Sequence, residues 1–392
     1  MSKSSGKMHK GIKALIIIGI VIVTLIVGYF VAVYSDIPFI KKWRTIYIET
    51  AMSTLSHQWL ATELLPADKI DEVMQEAEKQ QQQATVDESI VVIPRRAKIW
   101  LGHPLGLSEE QKQNSEILKG YPEIDHETLP QNISYENVVL TEENNIKTIH
   151  GDDVYLIDTE NGITIVNITG EGFVGKLAII KDPSRVKLAT TSKSYEGETV
   201  AKIAKNYNAV LAINASGFVD PNGTGNGGQP IGLVKSFGTL HQDEIGGWYW
   251  IKAGFDDDDN FRIGTNVKVS TLRDACQFNP ALIANGEQKI FGSAGIGIHP
   301  RSAIGQTADK EVVFLIIDGR QIGYSIGATV GDVAEIMLKY GVVNAINLDG
   351  GASAAMVYKG ETITIPSEWD GPHKNPDGRR VPDAWIVTPI ED

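Results

Sequence analysis

Residues Val312–Ser353 read VVFLIIDGRQIGYSIGATVGDVAEIMLKYGVVNAINLDGGAS. The continuous apolar run Val312–Ile317 predicts a central strand that is buried on both faces. Residues Thr329–Tyr340 place apolar side chains at helical spacing, and Gly341 follows them as a stop signal. This stretch therefore predicts a buried strand followed by an amphipathic helix.

A second strand follows the helix, and each strand ends at an acidic residue. Residues Ala345–Leu348 form a second, short strand, which leads directly to Asp349, as the first strand leads to Asp318. A strand, a helix and a strand in this order imply a right-handed crossover. We therefore expect Asp318 and Asp349 to lie at the same edge of one sheet.

Upstream of this unit the sequence is rich in short β-type runs. Examples are Ile163–Ile168 and Val210–Ile213, and turn residues such as Asn161-Gly162 separate them. The pattern predicts an α/β domain, more closely an α+β mixed sheet with flanking helices, over residues 135–392.

The N-terminal region predicts a membrane anchor. Ala14–Val33 is an almost unbroken apolar run, long enough as a helix to cross a hydrocarbon core. A cleaved signal peptide is the alternative, but it has a shorter apolar core and a small-residue cleavage site, which is poor here. We predict a cytoplasmic tail at 1–13, an anchor at 14–34 and an extracellular remainder, because lysines precede the run at Lys3, Lys7, Lys10 and Lys13.

Residues 35–134 are predicted to form a juxtamembrane helix and a linker. Mixed spacings of three and four over Thr45–Leu65 indicate a helix near the membrane surface that ends at Pro66. Asp68–Gln83 is charged and rich in glutamine, which is typical of an exposed helix or coil holding the domain away from the bilayer.

Composition narrows the possible partners. The net charge of -13 and the absence of a basic patch argue against nucleic acid binding. The single cysteine, Cys276, excludes an intrachain disulfide and a cysteine-based zinc site, and its apolar surroundings predict a buried thiol. The acidic run Asp256–Asp259 could form a structural Ca²⁺ site or a solvated loop, and the loop is the favoured interpretation. We predict that the protein requires no cofactor.

Four clusters of polar residues follow apolar strands or lie between glycines. Glycine beside a carboxylate lets a ligand approach the backbone, whose N–H groups can bind an anion. A guanidinium in small, apolar surroundings, such as that of Arg301, needs a carboxylate or phosphate partner. Each cluster alone is equally consistent with a turn or a structural ion pair, whereas the four together indicate a functional site. The clusters are 212–218, 279–287, 300–305 with 318–320, and 347–353.

From about Tyr135 to Val387 the chain resembles the phosphodiester glycosidase family, the relatives of N-acetylglucosamine-1-phosphodiester alpha-N-acetylglucosaminidase, often labelled exopolysaccharide biosynthesis proteins in bacteria. Four motifs carry the resemblance in the family's order and spacing: PRSAIGQ at 300–306, FLIIDGRQ at 314–321, GATVGDV at 327–333 and NAINLDGGASAAM at 344–356. The resemblance implies a hydrolase that cleaves the glycosidic bond of a sugar-1-phosphodiester in a phosphate-linked cell-surface glycan.

The resemblance and the clusters together give the expected site residues. We expect the catalytic groups to be Asp349, Asp318, Glu287 and Arg301. The expected substrate contacts are Asn214, Gly217, Arg320, Gly350, Gly351, Ser353 and Arg379. Two departures from the family pattern occur: Ala215-Ser216 follows Asn214 where two glycines are usual, and Thr364 stands where an asparagine is common.

Cleavage at an anomeric carbon usually needs one carboxyl group as acid and another as base or nucleophile. Asp349 with either Asp318 or Glu287 would supply them, and Arg301 would stabilise the departing phosphate. The alternative function is a non-catalytic module that binds a phosphate-containing surface polysaccharide or helps to assemble it. A metal-dependent phosphodiesterase is a weaker alternative, since no His/Asp cluster has ligand-like spacing.

Overall fold

The computed structural model describes residues 5–54, 57–89, 120–129, 139–221, 225–246, 250–367 and 375–390. Residues 90–119 and 130–134 of the predicted juxtamembrane helix and linker (35–134) therefore lie outside the described residues. The helices are α1 (Ser5–Tyr34), α2 (Pro38–Met52), α3 (Trp59–Thr62), α4 (Ala67–Gln83), α5 (Val200–Asn206) and α6 (Val330–Lys339).

The strands form three sheets, and the fold class is the predicted α/β mixture, with antiparallel pairing between hydrogen-bonded neighbours. The nine-stranded sheet has the order β1-β2-β3-β4-β15-β14-β16-β12-β13. Its strands are β1 (Val139–Thr141), β2 (Val154–Asp158), β3 (Ile163–Gly170), β4 (Phe173–Ile180), β12 (Ala281–Ala284), β13 (Glu287–Gln288), β14 (Arg301–Thr307), β15 (Val312–Ile317) and β16 (Val342–Leu348).

Two five-stranded sheets complete the domain, in the orders β10-β9-β11-β7-β8 and β18-β17-β6-β19-β5. Their strands are β5 (Val186–Thr190), β6 (Leu211–Asn214), β7 (Val234–Ser236), β8 (Thr239–Gln242), β9 (Ile251–Asp256), β10 (Phe261–Gly264), β11 (Leu272–Phe278), β17 (Met356–Tyr358), β18 (Glu361–Thr362) and β19 (Asp383–Val387).

The predicted strand-helix-strand unit is β15-α6-β16. Since β14 pairs antiparallel with both β15 and β16, these two strands run in the same direction, and their C-terminal ends meet at one edge. Helix α6 begins at a capping box, in which the Thr329 hydroxyl and the Asp332 carboxylate bond each other's backbone N–H. Its apolar face packs on the nine-stranded sheet.

The nine-stranded sheet separates two cores. One face packs against α6, and the other packs against the two smaller sheets around Phe255, Phe314 and Trp385. Cys276 is buried in the second core, as predicted. Side chains alternate between the two faces along each strand, so residues at even and odd positions of one strand pack in different cores.

The juxtamembrane segment is helical, and it packs on the domain, whereas an exposed helix or coil was predicted over 68–83. The helix expected over 45–65 ends at Met52, α3 is only one turn, and Pro66 is the residue before α4 rather than the end of a helix. We call residues 38–83 the cap, because α2 and α4 pack onto the domain.

Two glycine contacts fix the position of the cap. A Cβ on Gly297 would lie 2.4 Å from Thr50 Cα, and a Cβ on Gly295 would lie 2.5 Å from Ala77 Cβ. Both glycines also have positive φ, so the loop before β14 depends on them for conformation and for close approach.

Helix α1 contains a segment, Gly11–Tyr34, that is long and apolar enough to span a membrane. Only 6% of its most apolar window is buried within the molecule. The helix therefore has an apolar surface that the rest of the described chain does not cover.

Candidate active site

A cavity of about 880 Å³ lies at the edge where β14 begins and β16 ends. The walls come from the loops after β6 and β16, the loop before β14, and the cap. The cavity brings together these predicted site residues: Gly217, Arg301, Arg320, Asp349, Gly350, Gly351, Ser353 and Arg379.

Asp349 is the partly buried carboxylate at the end of β16. Its backbone N–H donates to the Ala215 carbonyl at 3.2 Å, so the turn after β6 holds it in place. Burial raises the pKa of Asp349 from 3.8 to about 6, although the Ser353 hydroxyl and the charge of Arg379 act in the opposite direction. A carboxyl group with this pKa exchanges a proton readily near neutral pH.

Asn214 supports Asp349 from outside the cavity. Its Nδ2 donates to the Asp349 carbonyl at 2.6 Å, and its Oδ1 accepts from the Ala355 N–H at 3.3 Å. The side chain is fully buried and does not line the cavity, contrary to the expectation of direct substrate contact. Asn214 therefore acts as a positioning residue that ties two loops together.

Arg301 is a buried guanidinium bound by carbonyl groups. Its Nε donates to the Ala328 carbonyl at 3.0 Å, and its Nη2 donates to the Gly297 carbonyl at 2.6 Å. In the described part of the chain, no carboxylate forms a salt bridge with it. Burial, followed by the charge of Arg320, lowers its pKa to about 9, so it remains protonated at neutral pH.

Two further arginines surround Asp349. Arg320 has a left-handed backbone with φ of 60°, and a Cβ on Gly351 would lie 3.1 Å from its Nη2. Arg379 donates from Nη1 to the Asp220 carboxylate at 2.8 Å and stacks over the Phe218 ring at 4.5 Å. With Arg301, the three guanidinium groups make the cavity suitable for an anion such as phosphate.

His299 joins the cap to the arginines. Its Nε2 lies 2.8 Å from the Ser53 hydroxyl, and its Nδ1 lies 3.4 Å from Arg320 Nη2. Burial and the charges of Arg301 and Arg320 hold its pKa well below the usual value, so the ring is neutral. Since Arg320 can only donate, Nδ1 accepts and Nε2–H donates to Ser53.

Asp318 lies at the predicted sheet edge but does not line the cavity. Its carboxylate accepts from the Ile365 N–H at 3.1 Å and from the Tyr324 hydroxyl at 2.9 Å. Burial raises its pKa to about 6. The position follows from the alternation of side chains along the strands. Asp318 is two residues after Ile316 and lies on the same face of the sheet, whereas Asp349 is four residues after Ala345 and lies on the opposite face.

Glu287 lies far from the cavity. Its side chain is 76% exposed and pairs with Lys289 at 2.9 Å. The turn before it bonds Val343 at the start of β16, through the Gly286 N–H and the Val343 carbonyl. Asp349 is at the other end of that strand, about 20 Å away at the rise of an extended chain, so the expectation that Glu287 lines the pocket is not met.

The sequence reasoning missed two acidic residues. Asp220 lines the cavity and holds Arg379. Asp383 is fully buried at the start of β19 and accepts a hydrogen bond from the Ser216 N–H at 2.8 Å. Burial raises its pKa to about 6, and the charge of Asp349 acts in the same direction. The sequence signal for Asp383 was a lone carboxylate at the start of an apolar strand.

The cap also supplies part of the cavity wall. Its Glu49 is buried, accepts from the Gly295 N–H at 2.8 Å and bonds the Ser293 hydroxyl, and burial raises its pKa. Thr50 accepts from the Ile298 N–H at 3.0 Å. These bonds brace the loop whose carbonyls hold Arg301, so the cap helps to build the site.

The acidic run at 256–259 is engaged with the protein. Asp256 accepts from Asn260 and pairs with Arg262, and Asp259 pairs with Arg273 at 2.8 Å. Among the described residues, no group of three or more His, Cys, Asp or Glu side chains could hold a metal ion.

The fold and the cavity define a protein that can hold an anionic ligand beside a protonatable carboxylate. Residues 207–388 match the sequence profile of the family described as phosphodiester glycosidase. The resemblance predicted from the sequence is thereby confirmed.

Two curated relatives are similar to parts of the chain. The Bacillus subtilis SPbeta prophage-derived uncharacterized protein YomE is 31% identical over 48% of this chain and 29% of its own length. The bovine N-acetylglucosamine-1-phosphodiester alpha-N-acetylglucosaminidase is 41% identical over 18% of this chain and 13% of its own length. The chain thus spans less than a third of the length of either relative.

The structural comparison includes the catalytic domain of the zebrafish N-acetylglucosamine-1-phosphodiester alpha-N-acetylglucosaminidase. That domain aligns with a TM-score of 0.49 and 22% identity, covering 58% of this chain and 82% of the zebrafish chain.

Proposed function

We propose that this protein hydrolyses the glycosidic bond of a sugar-1-phosphodiester. The observation that carries the proposal is that one cavity is lined both by Asp349, whose pKa is about 6, and by the buried guanidinium of Arg301. A guanidinium that forms no salt bridge with any carboxylate among the described residues is suited to a phosphate, and the carboxylate of Asp349 is suited to move a proton.

In the proposed reaction, water attacks the anomeric carbon and gives its proton to ionised Asp349. The bond between that carbon and the phosphate oxygen breaks, and its electron pair goes to the phosphate. Arg301, with Arg320 and Arg379, stabilises the negative charge of the departing phosphomonoester. A phosphate is a good leaving group, so this route needs no second carboxyl group as the acid.

This scheme changes the roles predicted from the sequence for Asp318 and Glu287. Asp318 would shape the turn that carries Arg320, since its carboxylate bonds Ile365 and Tyr324. Glu287 has no part in the proposed chemistry because it lies at the opposite end of β16. Asn214 and Asp383 would position the turns on either side of Asp349.

The test uses a methyl diester of a sugar 1-phosphate, from which the reaction releases a reducing sugar and methyl phosphate. Asp349→Asn and Arg301→Ala should each lose turnover by about a hundredfold or more. Glu287→Gln is the matched control, because it removes a carboxylate far from the cavity. Binding without product release would support the alternative of a non-catalytic polysaccharide-binding module, and unchanged turnover in both variants would refute the proposed mechanism.

We also propose that α1 anchors the protein in the cell membrane with the domain outside, where the substrate would be a phosphate-linked surface glycan. The apolar span Gly11–Tyr34 and the preceding lysines support this orientation. Protease added to intact cells should remove the domain and leave the anchor in the membrane fraction. Protection of the domain in intact cells would reverse the proposed orientation.

A further inference from the structure

The cavity has an apolar half that the chemistry at Asp349 does not use. The cap contributes Trp43, Ile46 and Tyr47 to the wall, and the domain contributes Trp250 and Phe278. A hydrophilic sugar and a phosphate need few such contacts, whereas a hydrocarbon chain is stabilised by them.

An aromatic stripe on α2 leads from this apolar half toward the membrane helix. Phe39, Trp43 and Tyr47 are spaced four residues apart and so lie on one face of the helix. Their exposed fractions are 71%, 44% and 39%, and the Phe39 and Trp43 ring centroids lie 6.5 Å apart. Eight residues of helix rise about 12 Å, which is the length of the stripe.

The stripe begins where α1 ends. Helix α1 ends at Tyr34 and α2 begins at Pro38. The Arg44 Nη1 donates to the carbonyls of Ala32 at 3.1 Å and Ser35 at 3.0 Å, which fixes the angle between the helices. The hydroxyl of Tyr29, within α1, donates to the Leu64 carbonyl of the cap at 3.1 Å. With α1 in a bilayer, Phe39 would lie at the interface that aromatic side chains favour.

We propose that the substrate is a lipid-linked sugar phosphate, in which the phosphodiester joins the sugar to a long hydrocarbon chain. This inference rests on the proposed function. The sugar and phosphate occupy the end of the cavity with Asp349 and the arginines, and the chain passes the apolar wall and follows the stripe to the bilayer. Hydrolysis then releases a reducing sugar and leaves an alkyl phosphate.

The test compares two diesters of the same sugar 1-phosphate, one methyl and one dodecyl, with the full chain reconstituted in phosphatidylcholine vesicles. Contact of several methylene groups with the stripe predicts a kcat/KM roughly a hundredfold higher for the dodecyl diester. Phe39→Ser and Trp43→Ala should each reduce this preference by about tenfold. Phe39 is largely exposed, so its replacement does not act by unfolding the cap.

Partitioning of the dodecyl diester into vesicles would create some preference in any anchored enzyme, so a matched variant is needed. Trp59→Ala removes another exposed aromatic of the cap that does not line the cavity, and it should leave the preference unchanged. An equal loss of preference in Trp59→Ala would overturn the inference.

The remaining outcomes separate the two proposals. Arg301-dependent hydrolysis of both diesters at the same kcat/KM would overturn the lipid substrate and leave the proposed function intact. Faster hydrolysis of both diesters by the cap variants would show that the cap is a cover over the cavity, and would also overturn the lipid substrate. No hydrolysis of either diester would overturn both proposals.

Discussion

Replacing Asp349 by asparagine should make the protein more stable and less active. Burial raises the pKa of this carboxyl group from 3.8 to about 6, so folding favours its neutral form. At about 1.4 kcal/mol for each unit of pKa, the ionised carboxylate costs the folded state about 3 kcal/mol at most. Asparagine has a similar shape and carries no charge, so this cost disappears in the variant.

The pH dependence follows from the direction of the shift. Below pH 3.8 the carboxyl group is neutral in both the folded and unfolded states, so wild type and Asp349→Asn should be equally stable. Between pH 3.8 and the folded pKa of about 6, wild type loses stability relative to the variant, and above that pKa the difference stays constant. Proton-acceptor function also requires the ionised form, so wild-type kcat/KM should fall about tenfold for each pH unit below 6.

Urea unfolding of the full chain in detergent, at about pH 3 and at pH 8, measures the stability difference, and release of reducing sugar measures activity. We expect nearly equal stability at about pH 3, a more stable variant at pH 8, and at least about a hundredfold loss of kcat/KM. A variant less stable than wild type at pH 8 would show that the arginines stabilise the carboxylate more than burial destabilises it. That result would refute the assignment of a raised pKa to Asp349.

Three further outcomes are expected. Wild-type kcat/KM should also fall above about pH 9, as Arg301 loses its proton, and a pH-rate profile that stays flat up to pH 11 would show that burial does not lower the pKa of this guanidinium to about 9. Asn214→Ala should lower stability by about 2 kcal/mol, measured by urea unfolding, because it breaks two buried hydrogen bonds; Asn214→Asp tests whether the amide donor is required. Gly297→Ala should displace Thr50 and release the cap, and faster proteolysis within residues 38–83 would detect this. Gly360 has a similar positive φ but open space around it, so Gly360→Ala is the control for backbone strain alone.

The sequence predicted the scaffold of the site well because periodicity reports burial. The apolar run before Asp318 and the amphipathic pattern after Thr329 gave β15 and α6 nearly to the residue. The common direction of β15 and β16 followed from the connection between them. These features depend on local patterns of side chains along one chain segment.

The roles of individual carboxylates were harder to predict because they depend on which face of the sheet each side chain lies on and on the length of the strands. Asp318 and Asp349 end two strands at one edge, yet they continue opposite faces of the sheet. Glu287 follows a turn that lies at the far end of β16, which only the register of β12 against β16 reveals. Neither fact is contained in the local motifs.

The cap was misread because its contacts are made by residues that carry no motif. In sequence, α2 is a helix with aromatic and apolar residues near a membrane anchor, and such residues equally suit a bilayer surface. Its site on the domain is made by glycines at 295 and 297, which present backbone rather than side chains and leave no hydrophobic pattern. The same helix therefore has two neighbours: its buried Glu49 and Thr50 hold the loop beside Arg301, while Phe39 and Trp43 remain exposed. With α1 in a bilayer, as proposed, α2 would connect the loop beside Arg301 to the membrane interface and fix the distance between them, and this is the geometric reason to expect a substrate held in the bilayer.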